Sequence, residues 1–68
     1  MIYTRHAKLR MARYGVSAVQ IELVLREYDT AVPARNGCTN YFKKLGGRRV
    51  RVTLSADGRI VTVWKEST

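Results

Sequence analysis

The sequence predicts an α+β domain, with two N-terminal helices packed on one face of a three- to four-stranded antiparallel meander sheet. Apolar residues repeat at helical spacing as far as Tyr28 and alternate afterwards. The change of period falls beside the only proline, Pro33, and the Asn36-Gly37 pair. Two turn-forming pairs, Gly46-Gly47 and Asp57-Gly58, then separate three segments of strand length.

Thr4 is suited to cap a first helix, Arg5 to Tyr14, which contains no proline, glycine or β-branched residue. Gly15 supplies a left-handed stop. Tyr3, Ala7, Met11 and Tyr14 form one apolar stripe, with Ile2 and Leu9 across from it. His6, Arg10 and Arg13 fall together between these stripes, one turn apart. Ser17 opens the second helix, with Gln20 at capping-box spacing. Its main buried stripe is Ile21, Val24, Leu25 and Tyr28; Val19 and Leu23 lie on the other side. A helix apolar nearly all round is covered internally or offers a surface to a partner, and internal packing is the expectation.

Asp29 to Gly37 reads as a loop with a short edge strand around Thr30 to Ala34. Cys38 to Leu45, Arg48 to Ser55 and Arg59 to Lys65 read as strands. If Asp57-Gly58 is a two-residue loop, Ala56 pairs with Arg59, Leu54 with Val61 and Val52 with Val63. Val50, Val52, Leu54, Val61 and Val63 then share the face beneath the helices. Arg49, Arg51, Thr53, Ile60, Thr62 and Trp64 share the other, with Arg51 directly opposite Trp64. The Gly46-Gly47 loop length decides the face of Phe42, since one residue more or less would invert it.

A chain of 68 residues allows one domain, residues 1–68, and one thin core; folding at this size buries only about 60% of the unfolded surface. The single cysteine, Cys38, forms no internal disulfide and packs as a small hydrophobe, which points to a reducing compartment. No apolar stretch approaches the about 18 residues of a membrane span. Met1 to Arg13 lacks the continuous apolar run of a signal peptide. The expected location is cytoplasmic, without membrane association. Thirteen lysines and arginines against five acids give a net charge of +8 and a pI near 10.4. Eleven of these cations cluster in 5–13, 43–51 and 59–65, which favours a polyanionic partner over a basic surface kept for solubility. The apolar fraction of 46% excludes a disordered basic tail.

Arg49, Arg51 and Trp64 on the uncovered sheet face are candidate RNA-binding residues, with Lys43, Lys44 and Lys65 at the rim. Guanidinium groups fork onto phosphates, and an indole among them offers an unpaired base a stacking surface. A solvated sheet face shielded from aggregation is the structural alternative, but it does not call for an exposed tryptophan. His6 is a candidate acid or base for RNA cleavage, with Arg10 one turn away and Arg51 on the sheet to stabilise phosphate charge. A lone histidine satisfied by a backbone carbonyl is the commoner arrangement. With no second histidine and no ligand spacing among the carboxylates, neither a metal nor another cofactor is expected.

Residues 6–17, His-Ala-Lys-Leu-Arg-Met-Ala-Arg-Tyr-Gly-Val-Ser, resemble the opening signature H-A-x-x-R-M-x-x-R-G-[IV]-[ST] of a large family of small bacterial and phage domains. Gly58-Arg59-Ile60-Val61-Thr62-Val63 resembles that family's closing pattern G-x-I-V-T-V, so the resemblance spans about Thr4 to Glu66. The family is similar to the ribonuclease-toxin fold shared by barnase, EndoU, colicin-type nucleases and RelE-like toxins. The resemblance implies an RNA-cleaving toxin fold with His6, Arg10 and Thr62 at the site, and an acidic antitoxin as partner. The family's second arginine aligns with Tyr14; Arg13 sits one position early, turned by about 100°. The expected function is that of a toxin-like RNA-binding domain, a metal-independent endoribonuclease of a toxin–antitoxin system. The alternative is a non-catalytic phage or bacterial protein that uses the same basic surface to bind nucleic acid or inhibit a protein complex.

Overall fold

A computed structural model describes residues 1–67. The chain runs β1 (Ile2–Tyr3), α1 (Arg5–Tyr14), α2 (Ala18–Glu27) and β2 (Thr30–Pro33), then a short 3-10 turn (Arg35–Gly37). It closes with β3 (Thr39–Leu45), β4 (Arg48–Leu54) and β5 (Arg59–Lys65). The sheet order is β1-β5-β4-β3-β2. Strands β2 to β5 form an antiparallel meander, whereas β1 joins β5 in parallel, Ile2 beside Arg59 and Tyr3 beside Ile60. The sheet is therefore five-stranded and mixed, which corrects the expected three- to four-stranded antiparallel meander. Two residues are too few to show alternation, and the partner of β1 lies at the far end of the chain.

Local signals account for both helices. The Thr4 hydroxyl accepts from the Ala7 amide at 3.1 Å, and Gly15, at φ 66°, ends α1. At α2 the Ser17 hydroxyl accepts from the Gln20 amide at 3.1 Å, while the Gln20 side chain accepts from the Ser17 amide at 3.0 Å. Ala7, Val16, Ile21 and Val24 then meet Val50, Val52, Ile60 and Val63 in one core. Each large aliphatic side chain in it contributes on the order of 1.5–3 kcal/mol. On the back of α2 Val19 is 76% exposed and Leu23 half-buried, and Tyr28, expected on the buried stripe, lies past the helix end and is 47% exposed. This corrects the expectation of internal packing, because a single sheet layer covers only one side of a helix.

The two hairpins set the sheet faces. Gly46 and Gly47 both have positive φ, 58° and 82°, so Leu45 pairs with Arg48 across a two-residue turn. Phe42 consequently stands opposite Arg51, turned away from the core. The second hairpin departs from the expected one. The Gly58 amide donates to the Ser55 carbonyl at 3.0 Å and the Ser55 amide to the Arg59 carbonyl at 2.8 Å, closing a three-residue loop, Ala56-Asp57-Gly58. Leu54 then pairs with Ile60, and Val61 forms a bulge. Ile60 turns into the core, fully buried, and Val61 is only half-buried, so their expected faces are exchanged. The longer loop and the bulge cancel beyond this point. Val52 pairs with Val63 and Arg51 with Trp64, as the simpler register also required. No helix among the described residues is long and apolar enough to cross a membrane.

Candidate functional site

Helix α1 begins tied to β5. The Thr4 amide donates to the Ile60 carbonyl at 3.0 Å, and the Thr4 hydroxyl donates to the Val61 carbonyl at 3.0 Å. The residues that follow at four-residue intervals, His6, Arg10 and Tyr14, line one side of a cleft of about 270 Å³. Arg51 from β4 and Thr62, Val63 and Trp64 from β5 line the other. Two distant parts of the chain, the first helix and the last hairpin, thus supply the two walls. All four residues expected to carry chemistry, His6, Arg10, Arg51 and Thr62, come together there.

Within the cleft, Arg10 Nε donates to His6 Nε2 across 3.4 Å, a long hydrogen bond on an exposed helix face. The Arg51 guanidinium lies 5.8 Å from the Trp64 ring centroid, within cation–π range. Arg51 Nε is buried and has no hydrogen-bond partner among the described residues. One imidazole and two guanidinium groups around an open cleft suit a phosphate oxyanion.

The remaining candidates divide. Arg49 and Lys44 stand opposite each other on the sheet face that carries Arg51 and Trp64. The Arg49 guanidinium lies 4.8 Å from the centroid of the Phe42 ring, and the Arg49 amide donates to a Glu66 carboxylate oxygen at 3.1 Å. Lys43 and Lys65 flank Val50 on the strands either side of it, on the helix-covered face and away from that group. Lys43 Nζ donates to the Glu27 carbonyl at the end of α2, at 3.0 Å, and lies 3.8 Å from the Asp29 carboxylate. Strand parity separates Lys43 from Lys44, its neighbour in sequence.

Arg13 also leaves the group expected around His6. It is exposed, with its guanidinium 5.8 Å from the ring of Tyr14, and Tyr14 takes the place in the cleft. Four-residue steps from His6 rotate by about 40° each and stay on one side of the helix, whereas the step to Arg13 rotates the other way. Tyr14 and Phe42 are the two side chains that sequence reasoning passed over. The i+8 position of Tyr14, at the place of the family's second arginine, was the available signal for the first. The Gly46-Gly47 turn held the signal for the second. Cys38 is a free, half-buried thiol. Among the described residues no three histidine, cysteine, aspartate or glutamate side chains gather into a metal-ligating group. Compared with protein-family models, curated proteins and solved structures, the chain gives no significant match.

Proposed function

We propose that this chain is a toxin-like RNA-binding domain acting as a metal-independent endoribonuclease. The observation that carries the reading is the convergence of His6 and Arg10 with Arg51, Thr62 and Trp64 on one cleft. The 2′-hydroxyl of the RNA attacks the adjacent phosphorus as His6 Nε2 takes its proton. The bond from phosphorus to the 5′-oxygen breaks, that oxygen takes a proton from water, His6 returns its own proton to the solvent, and a 2′,3′-cyclic phosphate remains. Arg10 and Arg51 hold the phosphate oxygens and stabilise the charge that builds on them. A phosphate arriving at Arg10 replaces His6 as its acceptor, which frees the Nε2 lone pair for the 2′-hydroxyl. Thr62 offers a hydroxyl to a non-bridging oxygen, and Trp64 offers a ring to the neighbouring base. With a net charge of +8, an acidic antitoxin is the fitting protein partner, and the lone thiol of Cys38 fits the cytoplasm.

The test compares wild type with His6→Ala on single-stranded RNA. A positioned acid or base is worth about 10²- to 10⁴-fold, so cleavage should fall by that factor while binding persists. Chelators should leave the wild-type rate unchanged, and deoxy substrates should resist cleavage. A second reading, a non-catalytic protein that uses the same basic surface, is favoured by the position of Arg49 and Phe42 outside the cleft. It prevails if the wild type binds RNA, cleaves none, and loses stability when His6 is replaced.

A further inference from the structure

One row of side chains crosses three strands on the sheet face turned away from the core. Phe42 on β3 stands opposite Arg51 on β4, which stands opposite Trp64 on β5. Each ring has its own arginine, Arg49 at 4.8 Å from the Phe42 centroid and Arg51 at 5.8 Å from that of Trp64. Both rings are half-buried, yet neither belongs to the core or packs against it. The row also runs directly into the cleft, because Arg51 and Trp64 are members of both.

We infer that this row is a two-base stacking platform for single-stranded RNA, with Phe42 as the second base-stacking residue. The inference rests on the RNA-cleaving reading above and names its substrate class. Strands lie about 4.8 Å apart, so Phe42 and Trp64, two strands apart, are separated by about 10 Å. Bases stacked in a duplex keep a rise of only about 3.4 Å along each strand, and their faces are closed to protein. Only a strand whose bases are splayed apart can lay one on each ring. The phosphate between those two bases falls at Arg51, and the next one beyond the base on Trp64 enters the cleft beside His6 and Arg10. The strand therefore crosses the sheet at right angles to its β-strands, and the cleaved linkage is the one that follows the base on Trp64.

Trp64 is the only tryptophan, so its fluorescence reports this contact alone. The probe is a 2′-O-methyl oligouridylate, which lacks the attacking hydroxyl, set beside a 2′-O-methyl RNA duplex of equal length. The single strand should quench Trp64 to saturation, and the duplex should bind more weakly with little quenching. Phe42→Leu should lower single-strand affinity about five- to hundredfold, the range found for removing one stacking ring. Duplex affinity should not change, and Phe42→Tyr should restore single-strand binding, which guards against a mere loss of fold. Equal affinity for strand and duplex would overturn the platform. So would a folded Phe42→Leu variant that binds the single strand as the wild type does. His6-dependent cleavage persisting in either case would leave the ribonuclease reading standing without the platform. Failure of the wild type to bind or cleave any RNA would remove both.

Discussion

The Thr4 hydroxyl accepts from the Ala7 amide at 3.1 Å and donates to the Val61 carbonyl at 3.0 Å. One side chain therefore starts α1 and fastens it to the bulge in β5. The bulge and the three-residue loop before it keep Thr62 and Trp64 on the sheet face bordered by α1. Two residues after Thr4, the helix delivers His6 to the same place. The cleft thus depends on a hydroxyl that stands outside it.

Thr4→Ala should cost about 1–2 kcal/mol, the usual range for a lost helix cap, with a further contribution from the broken tie to Val61. Thr4→Ser keeps the hydroxyl and should recover most of the loss. Urea denaturation of the three proteins checks this. Equal stability of the alanine and wild-type proteins would show that the cap and tie contribute nothing.

Lys43→Ala and Lys44→Ala should behave in opposite ways. Lys43 Nζ satisfies the Glu27 carbonyl at the α2 terminus, so its loss should destabilise the fold by about 1 kcal/mol and leave RNA affinity nearly unchanged. Lys44 is exposed on the face of Arg49, so its replacement should weaken RNA binding and leave stability intact. Thermal melts and binding titrations on both variants separate the two roles.

Tyr3→Phe should be neutral or stabilising by up to about 1 kcal/mol. The Tyr3 hydroxyl is buried and has no hydrogen-bond partner among the described residues. Burial, assisted by the nearby Glu22 charge, raises its pKa above the ordinary value. Removing an unsatisfied hydroxyl while keeping the ring relieves a desolvation cost. A clear loss of stability in urea would reveal a partner for that hydroxyl.

The Ala56-Asp57-Gly58 turn should show an acid-dependent contribution. Hydrogen bonds from the Ser55 hydroxyl and the Arg59 guanidinium hold the Asp57 carboxyl below the usual carboxylate range. Because the folded value is depressed, the stabilisation is complete above the ordinary aspartate value and is lost as pH falls through the folded one. Melting temperatures of wild type and Asp57→Asn should therefore differ at neutral pH and converge in acid. A difference that stays constant down to low pH would contradict this assignment.

RNA affinity should fall steeply with salt. If Arg10, Lys44, Arg49 and Arg51 each neutralise a phosphate, single-strand binding should show a log–log salt slope of about −3, and Arg51→Ala should reduce its magnitude by about 0.7. A binding constant that does not respond to salt would rule out phosphate contacts as the main source of affinity.

The bounds of α1, the start of α2 and the Gly46-Gly47 turn were legible in the sequence because each is encoded within four residues. A hydroxyl reaches its own helix amide, a glycine accepts positive φ, and two glycines accept it in succession. The pairing of Arg51 with Trp64 was also legible, though only because the longer loop and the Val61 bulge compensate. The rest belonged to the tertiary structure. The parallel docking of β1, the exchange of Ile60 and Val61, and the departure of Lys43 from the basic face all depend on pairings between remote segments. The meeting of His6 with Thr62 is of the same kind: the sequence named both residues, but only the tie from Thr4 to Val61 brings their elements together. A hydrogen bond between neighbours closes at small entropic cost and leaves its mark in the local pattern. One that joins the two ends of a chain is selected by the packing of everything between them.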